Sequence, residues 1–286
     1  MTNRRRSPTA DRRALASALR QLREASGLSL EQAASEALDA SGAKLSRLET
    51  GKQVAGPRDV RDLCRLYDVP SERMQELVSW AETAREPGWF DSFGVNDDDY
   101  LGLESAATHI DQFDLAWIAA ILQTHEYAES LQAGLIVPGR RELRSEEQIR
   151  EWLEIRERRL ALLEPSSGAH FRFVLDEAVL LRQVGGPASM REQIAHLQAL
   201  AQQPNIEIRI LSFGAGASPG QLGSFTILEL PAGPDVAYVE GQGSSSIIDD
   251  PREMRRFHRI FELIHELSST REQSHAILGA ALRHHE

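Results

Sequence analysis

Between Leu15 and Ala84 the apolar residues recur at helical spacing, but the runs are short and each one meets a stop signal. Leu15, Ala18, Leu19, Leu22 and Ala25 share one helical face, and Gly27 closes that run. Ser29 with Gln32 three residues later forms a capping-box pattern, followed by Leu30, Ala33, Ala34, Ala37 and Leu38 on one face. After the break at "DAS", Ser41 stands at a capping position for the segment "SGAKLSRLETG", which ends at Gly51. At 100° per residue Leu45, Leu48 and Glu49 turn inward. Ala43, Ser46, Arg47 and Thr50 then turn outward, with Lys44 at the flank. Pro57 opens a fourth segment with Val60, Leu63, Cys64 and Tyr67 inward, and a fifth runs from about Ser71 to Ala84. Such segments can bury their faces only against one another, so the first part of the chain is expected to be a small all-α domain of five helices.

The second and third helices, joined by a tight turn, suit a helix-turn-helix, in which the third helix enters the major groove of DNA. Charge placement allows this although the whole chain carries a formal −11. Residues 1–90 hold 15 Lys+Arg against 13 Asp+Glu, and the remainder holds 17 against 30. Both lysines, Lys44 and Lys52, lie in or beside the third helix, and Arg4, Arg5, Arg6, Arg12 and Arg13 crowd the first 13 residues. The stretch "LRQLREASGLSLEQAASEALDASGAKLSRLETGK" resembles the Cro/CI-type, xenobiotic-response-element family of DNA-binding domains. Carried over by position, the resemblance implies DNA contacts at Ser41, Gly42, Ala43, Lys44 and Arg47 and a phosphate contact at Lys52. It also implies a structural ion pair between Arg23 and Glu49. The second helix has one residue more than the family pattern before the turn. Gly42 and Ala43 replace longer polar side chains, and Leu30 stands where a phosphate-binding glutamine is common. Arg47 is left as the main candidate for a bidentate contact to guanine.

At 286 residues a second domain is expected. The chain is expected to divide into a basic N-terminal arm (1–13), a helix-turn-helix domain (14–84), a linker (85–100) rich in Pro, Gly and Asp, and an α+β domain with a small sheet (101–286). The arm is either a disordered tail or a minor-groove contact. Strands are expected at "HFRFVLDE", "IEIRILSF", "SFTILEL" and "VAYVE", with helices at "SEEQIREWLEIRERRLALLEP", "GPASMREQIAHLQALAQ", 251–267 and 270–282. "HIDQFDLAWIAAILQTHEYAESLQAG" reads as a short extended piece or a helix, followed by a helix from about Thr124, and Ser145 reads as a helix cap.

"LDEAVLLRQVGGPASMREQIAHL", "FGAGASPGQLGSFTILELP", "VAYVEG" and "DDPREMRRF" resemble the C-terminal domain of uncharacterised function that follows the helix-turn-helix in many actinobacterial regulators. The resemblance implies control of DNA binding through this domain, a place in development or secondary metabolism, and a small acidic partner protein encoded nearby. In "LAWIAAILQT", Ala119 and Ala120 replace the Pro-Gly of the family pattern, which predicts an extended helix there.

No catalytic set emerges. "GAGASPG" and "GQGSSS" lack phosphate-loop spacing, Asp176 and Glu177 suit a helix cap, and the histidines are scattered without metal-ligand spacing. No enzyme activity, cofactor or metal is therefore expected. Trp117, Tyr127 and Trp152 are candidates for an effector pocket, with core packing as the alternative. One cysteine, no secretory leader and no apolar stretch of bilayer length fit a cytoplasmic protein, nucleoid-associated when on DNA. The expected partners are double-stranded operator DNA, a second copy of the chain as a homodimer, and a small-molecule effector or the acidic protein. The rival reading is an antitoxin-like interaction module that binds the acidic partner and uses DNA only for autoregulation.

Overall fold

The computed structural model describes residues 6–93, 98–134, 146–241 and 244–285. Its contacts divide the chain into two units, Met1–Ala107 with Leu230–Asp235, and Thr108–Glu229 with Val236–Glu286.

In the first unit the stop signals fall where the periodicity puts them. Its helices are α1 (Pro8–Ala25), α2 (Leu30–Leu38), α3 (Gly42–Glu49), α4 (Pro57–Leu66), α5 (Ser71–Thr83) and α6 (Asp98–Ala106). The Ser29–Gln32 capping box is formed in both directions, and Pro57 occupies the first turn of α4. Leu15, Leu19, Ala33, Ala34, Leu45, Leu48, Val60, Leu63 and Leu77 form one buried core. Cys64 is part of it, and burial pushes its thiol up to about 11, so it serves as packing.

Two expected boundaries shift. Residues 8–13, read as the end of a basic arm, are the start of α1, because Ser7 caps the helix through Ala10 N at 3.1 Å. Arg6 is bound to Asp11 and to the Ser79 carbonyl, and Arg12 to Asp99. Arg4 and Arg5 lie outside the described residues. The first unit also runs past the expected linker, since α6 packs on α1. A Cβ at Gly102 would stand 2.6 Å from Thr9 Oγ1, so this approach depends on a glycine. Residues 94–97 of the linker are outside the description.

The second unit is built on a six-stranded mixed sheet, larger than the four strands read from the sequence. Its strands are β1 (His109–Asp114), β2 (His170–Asp176), β3 (Ile206–Leu211), β4 (Phe225–Glu229), β5 (Val236–Glu240) and β6 (Ser245–Ile248), in the order β3-β2-β1-β4-β5-β6. β1, β2 and β3 are parallel, and β4, β5 and β6 continue antiparallel. The helices are α7 (His125–Gly134), α8 (Glu146–Leu160), α9 (Ala178–Leu181), α10 (Gly186–Leu200), α11 (Pro251–Leu267) and α12 (Arg271–His284). Met254, Phe261 and Ile264 of α11 bury one sheet face together with Phe113, Val174, Phe225 and Ile227.

β1 is the strand that alternation does not disclose, because Asp111 and Asp114 are buried in it. Asp111 is compensated from the neighbouring strand, where the Arg172 Nε donates to its carboxylate at 2.7 Å from 61 positions away. The expected helix extension at Ala119 and Ala120 is not found; Ala120–Leu122 is a single 3₁₀ turn. Side chains take the carbonyls that a continuing helix would use: Gln123 donates to Ile118 O at 2.7 Å and Gln193 to Leu122 O at 2.8 Å. Ser145 lies outside the described residues. Among the described residues no helix is long and apolar enough to cross a membrane.

Candidate nucleic-acid interface

α3 is held from behind by its own acidic residue. The Glu49 carboxylate accepts from Arg23 Nε at 2.8 Å and Nη2 at 2.9 Å, while Arg23 Nη1 donates to the Leu28 carbonyl at 3.0 Å. The side chains retain 13% and 4% of their exposure, so this is a buried bidentate pair between α1 and α3. The hydrogen bonds to Glu49 raise the Arg23 pKa further. Burial, reinforced by Glu49, pushes the nearby Tyr67 hydroxyl up to about 12.

The start of α3 is fixed by a residue the sequence did not flag. Ser41 sits at the N-cap but its side chain makes no capping bond. Instead Glu31 of α2 accepts from Gly42 N at 2.9 Å. Gly42 is buried, and a Cβ there would lie 2.5 Å from Glu31 Oε2 and 3.1 Å from the Glu31 backbone nitrogen. Gly42, assigned by resemblance to a DNA contact, is placed where it sets the α2–α3 approach. Asp39 adopts a left-handed conformation in the turn before it. Leu30 packs against the core.

With Glu49 turned inward, the outer face of α3 is basic. Ser41, Ala43, Arg47 and Thr50 are exposed and Lys44 is half-buried. Arg47 has only a long 3.5 Å contact to Gln53 Oε1, and among the described residues no carboxylate pairs with it. The Arg47 carbonyl accepts from Gln53 N at 3.1 Å, folding the following loop back and leaving Lys52 exposed at the helix end. Lys44 is less free: its Nζ lies 3.2 Å from Asp59 Oδ2 of α4, with 29% and 28% side-chain exposure. No local pattern in the sequence announces that Asp59 lies opposite Lys44.

Residues 14–77 match the family described as a helix-turn-helix domain, and residues 97–280 match the family described as a domain of unknown function (DUF5753). The chain belongs to the DUF5753 family. Its first unit carries a helix-turn-helix domain of the xenobiotic-response-element type, and the protein is a DNA-binding regulator. No curated protein and no solved structure matches this DUF5753 chain. The DUF5753 match starts at residue 97, whereas contacts assign α6 to the first unit, so this helix belongs by sequence to one family and by packing to the other domain.

The DUF5753 unit separates the three aromatic residues proposed for a pocket. Tyr127 is fully buried, with its hydroxyl accepting from Ile118 N at 3.3 Å, whereas Trp117 remains 37% exposed. Trp152 lies against His125 with the rings tilted, and Arg156 sits over its face. The cleft in this region has none of the three in its lining. Asp176 Oδ1 accepts from Ala178 N at 2.9 Å, and Glu177 Oε2 accepts from Phe213 N at 2.8 Å. Residues 213–215 and 219–222 of the glycine-rich loop form short 3₁₀ turns, and 242–243 of the second loop are outside the description. His109 and His170, distant in sequence, stack at 5.2 Å across the β1–β2 register, and no group of metal-ligating residues occurs among the described residues.

Proposed function

We propose that this protein is a sequence-specific transcriptional regulator that docks α3 in the major groove, with Arg47 reading a base. The observation that carries the reading is the exposed Arg47, which has no carboxylate partner among the described residues, on a helix whose own glutamate is withdrawn into the Arg23 pair. A guanidinium in that position can donate two parallel hydrogen bonds to guanine O6 and N7. Ser41 and Lys52 are assigned to phosphates, Ala43 to at most a thymine methyl, and Lys44 to a phosphate once it leaves Asp59. Gly42 contributes by allowing the close packing that positions the others.

The proposal extends to a homodimer. An eight-residue α3 covers few base pairs, and two half-sites about one helical turn apart supply usable specificity. The second unit is assigned the control of that binding through a small molecule or an acidic partner protein, and neither unit is assigned a catalytic role. The resemblance to actinobacterial regulators supports a place in development or secondary metabolism.

The test is a titration of the protein on DNA upstream of its own gene and on a scrambled duplex, at two salt concentrations. Wild type is expected to bind selectively and with salt dependence, and Arg47→Ala to lose about 1–3 kcal/mol of selectivity. Weak, equal binding to both duplexes, unaffected by Arg47→Ala, would reject this reading in favour of the antitoxin-like module.

A further inference from the structure

The second unit contains a cleft of about 470 Å3 bordered by α8, the turn before α7, and α10. Arg156 enters it from α8. Its Nη2 donates to the Gln123 carbonyl at 2.6 Å, and its guanidinium carbon lies 5.1 Å from the centre of the Trp152 ring. Among the described residues no carboxylate pairs with it. Burial, followed by repulsion from Arg159, lowers its pKa. Arg156 is thus a half-buried charge with no counterion among the described residues.

His196 of α10 lines the same cleft, and its Nε2 is buried with no hydrogen-bond partner among the described residues. Burial first, and Arg156 second, lower its pKa, which favours the neutral ring with one N–H to donate. Leu153, 39% exposed, and Leu160 give the cleft an apolar wall, while Glu157 adds an exposed carboxylate to its lining. That negative charge disfavours a dianion, and one anionic charge suffices to balance Arg156.

We propose that this cleft binds a small monocarboxylate with an apolar body. The carboxylate pairs with Arg156, a turn of the His196 ring supplies a second donor, and the hydrocarbon lies along Leu153 and Leu160. The volume is in the ordinary range for small-molecule sites. That such a ligand controls DNA binding rests on the regulator reading; the chemistry of the cleft does not.

Calorimetric titration of the full-length protein with octanoate, decanoate and phenylacetate, with their neutral amides, and with inorganic phosphate tests the site directly. At least one carboxylate is expected to bind saturably, its amide at least tenfold more weakly, and phosphate not measurably. Arg156→Gln is expected to weaken carboxylate binding at least tenfold. Leu153→Asp, which alters a partly exposed wall residue, is expected to weaken it as well while leaving the circular dichroism spectrum unchanged. Absence of saturable carboxylate binding, equal binding of acid and amide, tighter binding of phosphate, or wild-type affinity in folded Arg156→Gln or Leu153→Asp would overturn the proposal. A parallel DNA titration with and without the bound carboxylate separates the two ideas. Ligand binding that leaves DNA affinity unchanged removes the effector role and keeps the site.

Discussion

Arg23 in the first unit and Arg156 in the second are both withdrawn from water, and their surroundings answer that burial in opposite ways. Arg23 meets Glu49 through two hydrogen bonds and a carbonyl through a third. Arg156 has one carbonyl and an aromatic ring. Asp114 shows a third solution: its Oδ2 has no partner, and burial pushes its pKa up to about 7, so protonation removes the charge. A buried charge that is paired locks two helices together. One left unpaired marks a place where something else can bind or where pH can act.

The largest effect should come from breaking the pair. Glu49→Gln leaves Arg23 buried without its counterion and is expected to cost about 3–5 kcal/mol in urea unfolding. Replacing both partners by methionine should cost less than Glu49→Gln alone, and a double variant that is worse would show the pair itself to be strongly stabilising.

Asp114 gives the next effect. Folded, it keeps its proton up to about pH 7, against 3.8 for the free side chain. Between those values the unfolded chain binds fewer protons, so the stability present at acid pH is lost as pH rises through 7. Asp114→Asn should flatten that fall and be more stable than wild type at pH 8 by roughly 2–4 kcal/mol. An unchanged slope would show that Asp114 is ionised in the fold.

Arg156→Met provides the contrast to Glu49→Gln. It removes a charge with no counterion among the described residues, so unfolding free energy should stay within about 1 kcal/mol of wild type, regained apolar burial offsetting the lost hydrogen bond. A loss as large as that of Glu49→Gln would mean the two arginines are equivalent.

The smallest effect belongs to Lys44. Its pair with Asp59 is partly exposed and worth less than about 1 kcal/mol. Asp59→Asn should therefore change stability little, while the freed Lys44 tightens DNA binding and steepens its dependence on salt by up to about one phosphate contact. An unchanged salt slope would remove Lys44 from the phosphate set.

The first unit was legible because its signals are local. The capping box at Ser29, the glycine after α3 and the inward faces of α1 to α4 follow from residues within one or two turns of each other. The Arg23–Glu49 pairing came from the family resemblance, and the structure places the two side chains together. The contacts of α3 that its sequence does not disclose are long-range: Glu31 on Gly42 N, and Asp59 beside Lys44. In the second unit β2 and β3 showed alternation, but β1 did not, because the charge of Asp111 makes sense only beside Arg172. β4 and β5 were readable as short apolar runs, while β6 is four residues at the sheet edge with little burial to shape its sequence.

By itself, the sequence determined the run of short helices, the inward turn of Glu49 and the presence of a second, mixed domain, since periodicity and caps act over a few residues. Only the tertiary structure decided which charges are neutralised. Among the described residues Arg47 and Arg156 have no carboxylate partner while Arg23 and Lys44 do, because an ion pair depends on side chains brought within a few ångströms by packing rather than on their distance along the chain.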